Sequence, residues 1–101
     1  MQETYIKVYD WTISLDVYER LIFSLIHQYT GGAEFGYWSG YKTMSERVGL
    51  PKSKCKAIVD RFAEEKKIIK SYAVIRNKNR LVLASDPSYV KQLKQSSLAR
   101  V

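Results

Sequence analysis

The sequence predicts a mainly α fold with a small β-hairpin: an α+β domain of three core helices, a two-stranded hairpin and a short C-terminal helix. Three observations carry that prediction. Residues 16–29 repeat apolar side chains at helical spacing, residues 41–62 read as two further helices joined by a glycine-containing turn, and the β-prone runs 68–75 and 80–84 flank a polar turn. At 101 residues and 46% apolar, the chain suits one packed domain. Residues 1–85 are expected to form it, with an N-terminal extended arm, and residues 86–101 to add a short helix and tail.

Each element has a local reason. Tyr5 to Trp11 (YIKVYDW) is rich in β-branched and aromatic residues, so a short strand or an extended arm is expected. Asp16 with Glu19 fits a capping box, which starts a helix over 16–29. Its apolar stripe is Tyr18, Leu21, Ile22, Leu25, Ile26 and Tyr29, with Arg20, Ser24 and His27 opposite, and Gly31-Gly32 stops it. Phe23 falls at the edge of the polar face, uncovered by anything in the pattern. Residues 33–39 (AEFGYWS) read as a loop with one or two strand residues, and Ser39 or Thr43 as the cap of a short helix over 41–48 that Gly49 ends. A third helix is expected from Lys52 to about Lys66, with Cys55, Ile58, Val59 and Phe62 inward and Ser53, Lys56, Ala57, Asp60 and Glu64 outward. The hairpin follows, with Arg76-Asn77-Lys78-Asn79 as its turn. Asp86-Pro87 opens a last helical segment with a weak Tyr89, Val90, Leu93 stripe, and residues 96–101 read as a loose tail.

Charge is unevenly placed. The chain has 17 Lys+Arg and 10 Asp+Glu, a net +7. Residues 1–41 hold two basic against five acidic side chains (−3), residues 42–80 twelve against four (+8), and residues 81–101 three against one (+2). A basic block of that kind points to a polyanion, although a solvated basic face would read the same. No run of ~18 apolar residues exists to cross a membrane as a helix, and the start lacks the apolar core of an export signal. The expectation is a cytoplasmic protein without a membrane partner. The single cysteine, Cys55, forms no internal disulfide and no multi-cysteine zinc site. His27 reads as a surface histidine, Cys55 as a buried inert thiol, and Glu64-Glu65 as a solvated helix end. With no phosphate-binding glycine loop or nucleophile motif, neither an enzyme, a cofactor, a metal nor a small-molecule substrate is expected. The aromatic cluster Tyr5, Tyr9, Trp11, Tyr37, Trp38 and Tyr41 lies on the acidic part, so packing explains it better than a stacking platform for single strands.

The segment from Tyr41 to Phe62 has helix-turn-helix spacing. Two closely crossing helices need a small residue in the first (Ser45), a turn residue that accepts positive φ (Gly49), and apolar residues at both helix cores and after the turn (Met44, Val48, Leu50, Cys55, Ile58). A helical hairpin that merely packs is the plainer alternative.

These residues carry a resemblance. MSERVGLPKSKCKAIVDRFAEEKKIIKS resembles the winged helix-turn-helix domains of bacterial transcription regulators and replication proteins. The wider stretch from Ile13 through Ile69, with LDVYERLIFSLIHQY and GGAEFGYWSG, is similar to those of phage and plasmid replication initiators and replisome organisers. The resemblance spans roughly Tyr5 to Leu83 and implies that the third helix enters the DNA major groove. It implies base-facing roles for Pro51, Lys52, Ser53, Lys56, Ala57 and Asp60, with Lys54 and Arg61 flanking toward phosphates and Lys42 joining from the preceding helix. Arg76, Lys78 and Arg80 would be the wing that meets the backbone or minor groove, where Asn77 and Asn79 could also bond. Asp60 has two readings, an acceptor for a cytosine amino group or an i, i+4 partner of Lys56. The family often has serine or threonine where Pro51 stands, and glycine where Lys66 stands, which implies a different helix start and a looser connection to the wing.

The function expected is double-stranded DNA binding through a recognition helix at about 52–66 and a basic wing at about 76–80, in a phage- or plasmid-type replication or regulatory protein. A transcriptional regulator acting as a homodimer is one alternative, since a lone domain covers one half-site. A module that binds a replication or regulatory protein partner is another, motivated by the acidic N-terminal part and Phe23.

Overall fold

Asp16 starts the first helix. Its Oδ1 accepts from the backbone N–H groups of Tyr18 (2.9 Å) and Glu19 (3.1 Å), satisfying two donors that a helix start leaves open, and α1 runs Val17–Tyr29. Only this half of the expected capping box forms, because the Glu19 carboxylate pairs with Arg61 across the fold. The computed structural model describes residues 6–30 and 36–98, so Tyr5, the Gly31-Gly32 stop and the last three residues lie outside the described residues. Thr30 ends α1, its Oγ1 donating to the Ile26 carbonyl at 2.9 Å.

The arm is not a strand. Residues 6–9 are irregular and a single 3-10 turn, Asp10–Thr12, follows. The arm is held by side chains instead: Arg20 donates from Nε to Thr12 Oγ1 (2.9 Å) and from Nη2 to the Tyr9 carbonyl (3.3 Å). It covers the side of α1 expected to face solvent. Ile22, Phe23, Ser24, Leu25 and Ile26 are consecutive and all buried, whereas Tyr18, assigned to the apolar stripe, is 44% exposed. Phe23 meets Trp11, Phe62 and Tyr89 edge-to-face at 6.3, 5.9 and 5.4 Å between ring centroids, the cover that the helical pattern leaves open. His27 is likewise not a free surface residue. Tyr9 and Trp11 approach its ring edge-on at 5.0 Å each, and its Nδ1 is 2.7 Å from Ser85 Oγ.

Helix α2 (Gly40–Val48) follows Ser39, which occupies the cap position but makes no capping bond; Thr43 lies inside the helix. Gly49 ends it in the left-handed region (φ 79°), as the turn requires. Ser45 Oγ donates to the Leu50 carbonyl at 2.5 Å, and the Cys55 thiol points at the same oxygen at 3.7 Å. The Pro51 carbonyl accepts from Lys54 and Cys55 (3.0 and 3.1 Å) and opens α3, Lys52–Glu64. Cys55, Val59 and Phe62 are buried as expected, with Ile58 half-buried.

The exit from α3 is tighter than expected. Lys66 adopts φ 59°, its N–H donates to the Ala63 carbonyl, and the Lys67 N–H donates to that of Phe62 at 2.8 Å. This is the glycine-type helix end, made here by a lysine. The hairpin pairs β1 (Ile68–Ile75) with β2 (Lys78–Ser85) in antiparallel register from Ile68↔Ser85 to Ile75↔Lys78. Its loop is two residues rather than four: Arg76 and Asn77 both have positive φ (53° and 64°), the primed geometry that matches strand twist. Tyr37 bridges to Leu83 through two backbone hydrogen bonds of 2.7 and 2.8 Å, placing a third short extended segment beside β2. Gly36 permits that approach, because a Cβ there would stand 2.6 Å from Val82 Cγ1 and 2.8 Å from the Leu83 carbonyl oxygen.

Asp86 caps α4 (Pro87–Leu98) by accepting from the Tyr89 N–H at 2.9 Å. The helix takes in Ser96 to Leu98, expected to be tail, and buries Val90 and Leu93 against the rest of the core. Among the described residues the fold is therefore α+β, with four α-helices and a two-stranded hairpin. No helix among them is long and apolar enough to cross a membrane.

Two measurements check this local chemistry. Left-handed backbone costs a non-glycine residue roughly 1–2 kcal/mol. Lys66→Gly is therefore expected to stabilise the fold by about 0.5–1 kcal/mol in urea unfolding, the unfolded chain's added freedom offsetting part of the gain. Burial, assisted by Lys94, holds the His27 imidazole below its ordinary value of 6.5. The folded chain then keeps His27 neutral where the unfolded chain takes up a proton, so this contribution is complete above pH 6.5 and is lost as pH falls below it. As His27 is the only histidine, the thermal midpoint should drop as pH falls below 6.5, and His27→Gln should flatten that drop.

Candidate nucleic-acid interface

The first turn of α3 and the start of α2 are brought side by side by the Gly49 turn. Tyr41, Lys42, Lys52, Ser53 and Lys56 line one open hollow of about 400 Å³. Lys42, Lys52, Ser53 and Lys56 are all exposed, and no side chain caps the helix start at Pro51. Without a side-chain cap, the helix start keeps open N–H groups at its positive dipole end, in the turn that carries Lys52 and Ser53. Lys54 and Ala57 are exposed on the same helix.

Asp60 is engaged by two lysines. Its Oδ2 is 2.8 Å from Lys56 Nζ and its Oδ1 meets Lys70 Nζ of β1, so the i, i+4 reading of Asp60 is the one the geometry realises. Those bonds, Lys56 first and Lys70 second, hold the Asp60 carboxyl below the usual carboxylate range. Burial pushes the neighbouring Tyr41 phenol upward, with Lys70, Asp60 and Lys56 all nearby.

Three of the expected cations have partners elsewhere in the fold. Arg61 pairs with Glu19 of α1. Arg76 and Arg80 lie with their guanidinium carbons 5.5 and 5.2 Å from the centre of the Trp38 ring, so the hairpin's arginines are gathered on an aromatic rather than splayed. The register places Arg80 opposite Ala73, on the other face of the hairpin from Lys70 and Tyr72. Lys78 is exposed at the start of β2.

Lys70, Tyr41 and Trp38 were missed by sequence reasoning as parts of this surface. Alternation along β1 puts Lys70 on the face of buried Ile68, but only the hairpin's seat against α3 shows that Asp60 meets it there. Cys55 is buried, and burial raises its thiol above the ordinary range, away from reactive behaviour. No group of three or more potential metal ligands occurs among the described residues.

Comparison with family models, with curated proteins and with solved structures finds no match to this chain, so its chemistry has to speak for its function. The Asp60 cluster gives a direct test of that chemistry. Followed by NMR, the Asp60 carboxyl should titrate below the ordinary 3.8, and Lys56→Ala and Lys70→Ala should each raise its midpoint.

Proposed function

We propose that this chain is a winged helix-turn-helix module that binds double-stranded DNA, with α3 as the recognition helix and the β1–β2 hairpin as the wing. The single observation that carries the reading is the convergence of Lys42, Lys52 and Lys56 on the open first turn of α3. That arrangement offers a phosphate both cations and backbone N–H donors. At 13 residues α3 is about 20 Å long, enough to lie in a major groove about 12 Å wide. Ser53, Lys54 and Ala57 are exposed on it for groove contacts. Asp60 serves as the brace that orients Lys56 and Lys70 rather than as a base reader, and Trp38 orders Arg76 and Arg80 of the wing, with Lys78 beside them. The biological setting we favour is a phage- or plasmid-type replication or regulatory protein, acting alone on one half-site or as a homodimer on two.

A second reading, a protein-interaction module, loses Phe23, which is buried, but keeps Ile13 and Val17, which are 56% and 63% exposed beside the arm.

The test is duplex binding by fluorescence anisotropy across a salt series. Lys52→Ala with Lys56→Ala is expected to weaken affinity at least about tenfold and to make the salt slope shallower by about 0.9 for each phosphate no longer neutralised. Unchanged affinity and slope would overturn the docking of α3.

A further inference from the structure

A second hollow adjoins the lysine slot. It has a volume of about 240 Å³ and opens at the edge of β2, between the Tyr37 bridge and the start of α2. Tyr41 lines both hollows, so the two are neighbours on one surface. The lining of the smaller is mostly aromatic and aliphatic, from Tyr37, Trp38, Tyr41, Leu81 and Leu83, with Gly40, Asn79 and Arg80 forming the rest of the wall. The parts are fixed. Tyr37 is 1% exposed and donates its hydroxyl to the Gly40 carbonyl at 2.8 Å, and Arg80 is laid over Trp38. The Arg80 Nε is enclosed and has no hydrogen-bond partner among the described residues.

The chemistry of that lining selects a ligand class. Sites that enclose a drug-sized molecule measure about 300–1,000 Å³, so this one suits a single ring system. Tyr37 is buried, so a flat heteroaromatic would stack on the half-buried Trp38 or Tyr41 ring, and an arginine donor matches a ring nitrogen or exocyclic oxygen. An aliphatic chain would leave the arginine unused, and an aromatic peptide side chain would not account for three lysines next door. A nucleotide answers both halves of the surface, its base to the aromatic hollow and its phosphates to the slot.

We propose that the Tyr37–Trp38–Tyr41 hollow binds one unpaired nucleobase while the flanking phosphates lie on Lys42, Lys52 and Lys56. The proposal rests on the DNA-binding reading above and sharpens its substrate: a duplex interrupted by an unpaired nucleotide is bound in preference to a continuous one. The same base chemistry is present in a free mononucleotide, and the experiment separates the two sources.

Anisotropy is measured on three short labelled duplexes: fully paired, carrying one extra unpaired deoxyadenosine, and carrying an abasic residue at that place. The unpaired base should tighten binding about tenfold over both other duplexes, as stacking of one base on aromatic rings allows. 2-Aminopurine at the unpaired position should be quenched on binding. Leu81→Trp, which fills the hollow, should remove the preference for the unpaired base over the paired and abasic duplexes. Circular dichroism checks that this variant folds, and the quenching in the unsubstituted protein stands without it. Equal affinity for all three duplexes with no quenching overturns the pocket and leaves the DNA-binding reading in place. Absence of binding to every duplex overturns both. Free deoxyadenosine monophosphate binding as tightly as the interrupted duplex overturns the DNA source of the base.

Discussion

Everything in this fold depends on the burial of α1 on nearly all sides. Five consecutive residues, Ile22 to Ile26, are inaccessible, which a helix achieves only when elements surround it. The arm and α4 close one side, where Phe23 touches Trp11 and Tyr89, and α3 closes another, where Phe23 touches Phe62. Phe62 in turn anchors α3, and the Lys67 N–H that bonds its carbonyl leads directly into β1. The recognition surface proposed for this protein is thus mounted on a central strut, and the position of α3 is set from its buried side.

Electrostatics then divides the cations into groups. Twelve of the 17 Lys+Arg lie in residues 42–80, yet they are not equivalent. Arg61 is held by Glu19, Lys56 and Lys70 by Asp60, and Lys67 by Glu65 at 2.9 Å. Arg76 and Arg80 are laid on Trp38. Lys42, Lys52 and Lys54 belong to none of these pairs and stand exposed around the start of α3. Exposed pairs contribute little to stability, about 0–1 kcal/mol each, so the acidic partners matter more for where the positive charge points than for holding the fold.

Much of the order of elements is legible along the chain because short-range chemistry writes it. Asp16, Gly49, Pro51 and Asp86-Pro87 mark helix boundaries within a residue or so, and the Met44, Val48, Cys55, Val59 spacing marks the inner faces of α2 and α3. Local rules fail where packing overrides them. Lys66 and Arg76 take left-handed conformations that favour glycine or asparagine, because pairing of the hairpin and packing of Phe62 fix the chain on either side. Composition leaves residues 6–11 open to a strand or an extended arm; they form no strand, Tyr9 and Trp11 pack on His27 and Phe23 of α1, and β2 takes its extra partner from Tyr37.

Three helices, a hairpin, a closing helix and a basic middle third are already written in the amino-acid order, since periodicity, caps and charge are properties of neighbours along the chain. Which side of α1 meets solvent is not, because a covering element such as α4 arrives from about sixty residues away. Nor is it written which cations are engaged. Glu19 and Arg61 are 42 residues apart, Asp60 and Lys70 ten, and Trp38 and Arg80 likewise distant. Those pairs are set in three dimensions, since an ion pair or a stacked ring depends on approach within a few ångströms, and that distance is fixed by packing of the core rather than by order in the sequence.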